Sequence, residues 1–275
     1  VLPTQLHAAV LTDPGKVRRN NEDSCFADGD LGLLIVADGM GGHAAGEVAS
    51  HLAVQVIRDQ VVQALRTGKI PARDGAPLHL SDRARLLDAA VHLANDMILE
   101  TAQKSPERRG MGTTVVAALL SGRRLAVAHV GDSRLYLLRK GEFRQITQDH
   151  SLVAEQVAKG LLTPEQAETS EIQNVLSRAL GVKAEVEVDV TEPNLENGDL
   201  ILLCSDGLSR MVKDGAISAE LSRLKEPTEM CHNLVRLALE QGGRDNVTVA
   251  VGRVQSVGLW SSVKKLWRRP ARRTA

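Results

Sequence analysis

The sequence predicts an α+β domain in which antiparallel sheets carry helices on their outer faces. Three observations carry that expectation. Strands and helices fall in blocks rather than in strict βαβ alternation. Two long stretches place apolar residues at helical spacing, while other apolar, β-branched runs are joined by short Gly-bearing turns. Two of the apolar strands run straight into an Asp-Gly pair, at Asp38 with Gly39 and at Asp206 with Gly207.

Taken in order, residues 6–13 read as a strand and are followed by a polar loop through PGKVRRNNED. Residues 31–38 (LGLLIVAD) form a short buried strand bounded by Gly. From Ala44 to about Leu65, Val48, Leu52, Val56, Val62 and Leu65 make a helical stripe. Residues 66–77 are a loop by their Gly and Pro content. Ser81 and Asp82 then cap a second helix that runs through Leu86, Val91, Leu93, Met97 and Ile98 to about Ala102. TTVVAALLSG, RRLAVAHVGDS and RLYLLRKGE read as strands of antiparallel hairpins. DHSLVAEQVAKGLLTPEQAE is helical, with a break between Gly160 and Pro164. A strand then leads into Asp206, EMCHNLVRLALEQG is a helix, and GGRDNVTVAVGRV is a loop and final strand. No solenoid repeat, low-complexity segment or linker divides the chain, so one domain plus a tail is expected.

The bulk properties exclude several function classes. Of 275 residues, 43% are hydrophobic and 25% charged, which is globular composition. The 34 basic and 34 acidic residues cancel, giving no general attraction for a polyanion. Two Phe, one Tyr and two Trp are too few for base-stacking platforms, so no nucleic-acid partner is expected. Cys25, Cys204 and Cys231 are odd in number and widely spaced, which argues against a disulfide framework and suits a reducing cytoplasm. Nothing resembles a signal peptide, and no apolar run reaches the ~18 residues of a membrane span.

The chemistry is expected where acids meet strand ends. Asp38 and Asp206 each end a strand, Asp245 precedes one, and Glu22, Asp23 and Asp132 flank others. Two like charges ~4 Å apart repel by about 4 kcal/mol at an effective dielectric near 20. Several such carboxylates on one rim therefore need cations or strongly raised pKa values. All-oxygen ligation without cysteine points to hard ions, Mg²⁺ or Mn²⁺, rather than zinc. Glycine beside the aspartate leaves a backbone carbonyl open as a further ligand. Each motif alone is more often just a turn; their joint order carries the signal.

Eight segments in order make that signal specific: VRRNNEDS (17–24), VADGMGGH (36–43), GMGTTVV (110–116), HVGDSRLYLLR (129–139), QDHS (148–151), SRALG (177–181), LLCSDGL (202–208) and GGRDNVTVAV (242–251). The chain resembles the metal-dependent protein phosphatases of type 2C in their compact bacterial form, over roughly residues 5–254. The resemblance implies a four-layer α-β-β-α sandwich, two antiparallel sheets flanked by antiparallel helix pairs. It implies a site of two Mn²⁺ or Mg²⁺ ions at one end. Carried over, Asp38 bridges both ions, Asp206 and Asp245 complete the first, and Glu22 with the Gly39 carbonyl holds the second. A third, weaker ion is associated with Asp132 and Asp206, and Arg18 grips the substrate phosphate. The implied reaction is in-line attack on phosphoserine or phosphothreonine by a water bridging the ions, with no phosphoenzyme. The alternatives are a non-catalytic phosphoprotein-binding regulator on the same scaffold, or a phosphatase dedicated to an anti-sigma antagonist or a secretion-system component.

Some members carry His directly after the Asp-Gly; here that position is Met40, and the nearest histidine is His43. His43 either protonates the leaving alkoxide, directly or through water, or orients the loop entering the first helix. His129 and His150 read as structural. Residues 152–172 match the family's variable flap, either a mobile cover over the site or a static helix hairpin. The expected boundaries are a catalytic domain at 1–255 and a basic amphipathic tail at 256–275. In the tail, Trp260, Val263 and Trp267 fall at helical spacing, while Lys264, Lys265, Arg268, Arg269, Arg272 and Arg273 supply charge. This tail either lies on the inner membrane surface or a partner, or packs on the domain and frays. A cytoplasmic monomer acting on phosphoproteins, and reversing a bacterial Hanks-type kinase, is expected.

Overall fold

The computed structural model describes residues 4–41, 45–71, 79–168 and 170–256. His43 and the tail residues from 257 onward lie outside them. In chain order the strands are β1 (Thr4–Asp13), β2 (Asp23–Asp28), β3 (Leu33–Met40), β4 (Gly112–Thr113), β5 (Val115–Ser121), β6 (Arg124–Val130), β7 (Arg134–Arg139), β8 (Glu142–Gln145), β9 (Asp189–Thr191), β10 (Leu200–Cys204) and β11 (Val247–Ser256). The helices are α1 (Ala45–Thr67), α2 (Asp82–Lys104), α3 (Leu152–Ala158), α4 (Pro164–Glu168), α5 (Asp206–Ser209), α6 (Asp214–Arg223) and α7 (Pro227–Glu240). No helix among the described residues is long and apolar enough to cross a membrane.

One sheet has the order β1-β11-β10-β7-β8 and the other β2-β3-β5-β6-β9, with β4 paired to β3. Side chains alternate across each strand, which assigns the layers. Leu33, Ile35 and Ala37 of β3 pack under α1 and α2, while Leu34 and Val36 enter the core between the sheets. On β10, Leu200, Leu202 and Cys204 face the α6–α7 side, and Ile201 and Leu203 point inward. Strands covered on both faces have no polar side, which is why LLIVA and LILLC are unbroken apolar runs. The result is the α-β-β-α sandwich, with helix pairs α1–α2 and α6–α7 outside two antiparallel sheets.

The outer helices follow from ordinary signals. Ala45, Ala49, Ala53, Ile57, Val61 and Ala64 line the buried face of α1, small residues that let it lie close to the sheet. Ser81 caps α2, its hydroxyl accepting from the Ala84 N–H at 3.3 Å. The break between Gly160 and Pro164 separates α3 from α4. Several elements depart from the sequence reading, the short β8, β9 and α5 among them. The strand expected to stop at Asp38 continues to Met40, because β4 pairs Gly39 with Thr113 and Met40 with Gly112. Asp23 opens a strand of its own, β2, where a loop was expected, and α6 fills a stretch to which no element was assigned.

Register decides which end carries the acids. Asp23 lies opposite Asp38, Val115 opposite Val130, and Cys204 opposite both Arg134 and Val249. The start of β2, the end of β3, the β6–β7 connection, the end of β10 and the start of β11 therefore share one rim. At that rim residues 131–133 carry the chain from one sheet to the other. Gly131 sits there at φ +109°, and a Cβ on it would lie 2.6 Å from the Thr114 side chain. The adjoining histidines hold the same turn: His129 Nε2 donates to the Gly131 carbonyl (2.8 Å), and the Gly131 N–H donates to His150 Nδ1 (3.2 Å). Gly131→Ala combines a left-handed backbone with a steric clash, so urea unfolding should show a loss of roughly 2–4 kcal/mol. An unchanged midpoint would mean the crossing relaxes freely.

Candidate metal centre

The acidic residues are placed largely by contacts to their backbone and to neighbouring loops. The backbone of Asp38 is clamped by β4 and the start of β5. Its N–H donates to Thr114 Oγ1 (3.0 Å), and its carbonyl accepts from the Thr114 N–H (2.9 Å) and Thr113 Oγ1 (2.9 Å). The GMGTT motif is thus a clamp for Asp38. Asp206 opens α5, and Gly207 behind it passes so close to the Asp245 loop that a Cβ would meet the Asn246 carbonyl at 1.9 Å.

Asn246 ties the Glu22 loop to Asp245. Its Oδ1 accepts from the Glu22 N–H (2.7 Å), and its Nδ2 donates to the carbonyls of Pro14 and Asn20 (2.9 Å each). Glu22 reaches the rim through a gap that two glycines keep open. A Cβ on Gly39 would lie 2.5 Å from the Glu22 carbonyl, and one on Gly46 2.9 Å from Glu22 Oε1. Gly46 belongs to the first turn of α1, where free N–H groups favour a carboxylate.

The electrostatics show how costly this gathering is. Burial raises the Asp38 carboxyl well above the usual range, and Asp23, Asp206, Asp132 and Asp245 raise it further. Burial likewise pushes Asp23 up to about 7, opposed by the Thr248 and Ser205 hydroxyls. Asp132 is raised to about 6 by burial and Asp206, against the pull of Arg210. Asp206 is raised by burial and lowered by Arg210; a hydrogen bond from Asp38 also favours its ionised form. Glu22 is raised mainly by burial, with Arg18 opposing. One oxygen of Asp23 accepts from Ser205 Oγ at 2.8 Å; the other is buried with no hydrogen-bond partner.

Glu22, Asp38, Asp132, Asp206 and Asp245 are brought to one rim, with the Gly39 backbone among them. Arg18 stands at its edge, Nη2 2.8 Å from Asp245 Oδ2, with about half its side chain exposed. Sequence reasoning missed four contributors: Asp23 as a buried member of the cluster, Asn246, the Thr113–Thr114 clamp, and Arg210. Arg210 lies 2.9 Å from Asp132 and 3.0 Å from Asp206. Six carboxyl groups thus face two guanidinium groups, leaving four formal negative charges, the charge of two divalent cations. A donor set made only of oxygens, gathered where burial and mutual repulsion raise Asp38, Asp132 and Asp206, fits Mg²⁺ or Mn²⁺.

A second cluster, His129, His150 and Asp189, has ligand atoms within 4.8 Å of one another. Those atoms are already committed. His150 Nε2 lies 3.2 Å from Asp189 Oδ2, and Arg178 holds Asp189 Oδ1 at 2.8 Å. Burial and the neighbouring His150 lower His129 to about 4, so it is neutral.

The raised carboxyls have a signed consequence. The native state keeps the Asp23 proton up to about pH 7, whereas the unfolded chain releases it near pH 4. Stability tied to that proton is present below pH 4 and lost as pH rises through 7. His129 acts oppositely, penalising the native state as pH falls below the ordinary histidine value. Comparison with Asp23→Asn removes the histidine contribution. Metal-free wild type should lose stability relative to that variant by up to about 1.4 kcal/mol per pH unit between pH 4 and 7. A pH-independent difference in urea unfolding would contradict this.

The comparisons agree with the geometry. The family model described as protein phosphatase 2C matches residues 16–238. The chain is 44% identical over 249 residues to the serine/threonine protein phosphatase PstP of Mycobacterium tuberculosis, covering 90% of this chain but only 45% of that relative's length. It is 38% identical over 247 residues to the serine/threonine phosphatase stp of Listeria innocua, covering 89% of this chain and 94% of the relative. A solved catalytic domain of PstP, in complex with two manganese ions, superposes with a TM-score of 0.79 at 43% identity, over 92% of this chain and 99% of that one. The chain belongs to the protein phosphatase 2C family.

Proposed function

We propose that this chain is a metal-dependent phosphoserine/phosphothreonine protein phosphatase using two Mn²⁺ or Mg²⁺ ions. The carrying observation is the buried, all-oxygen carboxylate cluster with an arginine at its edge. Asp38, Asp206 and Asp245 would hold one ion, Asp38, Glu22 and the Gly39 carbonyl the other, and Asp132 with Asp206 a weaker third. Such ions, when bound, acidify a water and neutralise charge on phosphoryl oxygens. The two manganese ions of the PstP structure support that number.

The chain's own groups supply the rest. Arg18 presents a planar fork of donors that suits two phosphate oxygens, and Asp245 holds the guanidinium at the rim from one side. No thiol competes as nucleophile. Burial raises Cys25 to about 11 and Cys204 to about 12, so both stay protonated at neutral pH. Water is the nucleophile and no phosphoenzyme forms, as the resemblance to the type 2C phosphatases implies. His43 would donate the leaving-group proton or shape its loop. The catalytic unit spans 1–255, α3 and α4 form the flap, and residues 256–275 form a tail for which packing on the domain stands beside contact with a membrane surface or a partner. The substrates are phosphoproteins, the opposing enzyme is a Hanks-type kinase, and the setting is the cytoplasm, with the chain a monomer.

Hydrolysis of a phosphothreonine peptide should require Mn²⁺ and stop with EDTA. Asp38→Ala should lower kcat by about 10²-fold or more, while Arg18→Lys should chiefly raise KM, by about tenfold. Metal-independent turnover, or full activity of Asp38→Ala, would contradict the proposal.

A further inference from the structure

Arg210 has no role in the reaction described above, yet it is the most connected cation at the rim. It follows α5, one helical turn after Asp206, and its side chain is 30% exposed. Nε lies 3.0 Å from Asp206 Oδ2, and Nη2 lies 2.9 Å from Asp132 Oδ2. The same Nη2 is 3.3 Å from the Gln173 carbonyl, and Nη1 donates to Asn174 Oδ1. Asp149, the other acid acting on Asp132, is already held by Arg134 through three hydrogen bonds.

Gln173 and Asn174 lead into the base of the α3–α4 flap. The Leu152 N–H at the start of α3 donates to the Val175 carbonyl (2.9 Å), and Ser151 pairs with Leu176. One planar group therefore touches both carboxylates expected to hold the weaker ion and, on its other edge, the flap. Because Nη2 is shared between Asp132 and Gln173, the guanidinium cannot turn away from one and keep its geometry to the other. A divalent ion on Asp132 and Asp206 would compete with this positive charge for them, and a guanidinium that let go of Asp132 would also lose its contact to Gln173.

We propose that Arg210 is a latch, an internal cation that competes with a divalent ion for Asp132 and Asp206 and fastens the Gln173–Asn174 segment while it holds them. The inference rests on reading those two aspartates as cation ligands; it does not rest on turnover.

The full chain is tested by Mn²⁺ titration, counting bound ions by electron paramagnetic resonance, and by amide hydrogen exchange at residues 170–176. In Arg210→Ala the weak-ion midpoint should fall about tenfold or more, and exchange at 170–176 should be fast before any Mn²⁺ is added. Arg210→Lys keeps a point charge but not the fork, so exchange should be fast while the midpoint stays within about threefold of wild type. Asp132→Asn should lose the weak ion and also free the segment. In wild type, exchange at 170–176 should rise over the range in which the weak ion binds. An unchanged midpoint and unchanged exchange in Arg210→Ala would overturn the latch. So would a wild-type segment whose exchange ignores the weak ion. A wild type that binds no Mn²⁺ fails the metal reading, and the competition with it, whatever its turnover.

Discussion

The burial of Asp23, Asp38, Asp132 and Asp206 against one another is the constraint on which the rest of the structure depends. Each loses hydration and each repels the others, so the rim opposes folding unless cations or protons reach it. The fold answers by holding the backbone rather than the carboxyl groups. Thr113 and Thr114 fix Asp38, Asn246 fixes Glu22 beside Asp245, and the glycines at 39, 46 and 207 let these segments approach. Where the carboxyl groups themselves are held, it is by Arg18, Arg210 and the Ser205 hydroxyl. Ordinary apolar burial in three layers supplies the stability that this rim consumes.

Topology makes the convergence possible. In two stacked antiparallel sheets, alternate strand ends share a rim, and one residue of register would move Asp23 to the opposite face from Asp38. The β6–β7 connection adds Asp132 because the chain changes sheets there, and Gly131 allows the turn. Arg18 and Arg210 stand on different acids, Arg18 on Asp245 at the open edge and Arg210 on Asp132 and Asp206. The first is about half exposed, while the second is tied to the flap base.

Much of this was legible in the sequence, for identifiable reasons. Long helices and continuous apolar strands announce themselves, so α1, α2, α7, β3 and β10 were placed within a few residues. The acids were legible because each sits near a strand boundary, with Asp38, Asp132 and Asp206 directly beside Gly, and because the eight segments occur in one order. What stayed hidden depends on contacts distant in sequence. Asn246 acts on Glu22 and Pro14, 224 and 232 residues away, and its amide has no local signature. Arg210 reads as a helix-end arginine until Asp132, 78 residues earlier, is brought against it. Asp23 was seen as a flanking acid, but its burial follows only from the β2–β3 pairing. The extension of β3 through Gly39 needed the two-residue partner β4, too short to recognise beforehand.

The central claim is that the fold tolerates a destabilising carboxylate cluster because cations complete it. Thermal unfolding of wild type and Asp38→Asn at pH 7.5, each with EDTA and with saturating Mn²⁺, tests it most directly. Removing the most strongly raised carboxyl should make the metal-free variant melt above metal-free wild type, while Mn²⁺ should raise the wild type far more than the variant. A metal-free Asp38→Asn that melts below wild type, or that gains as much from Mn²⁺, would contradict the account.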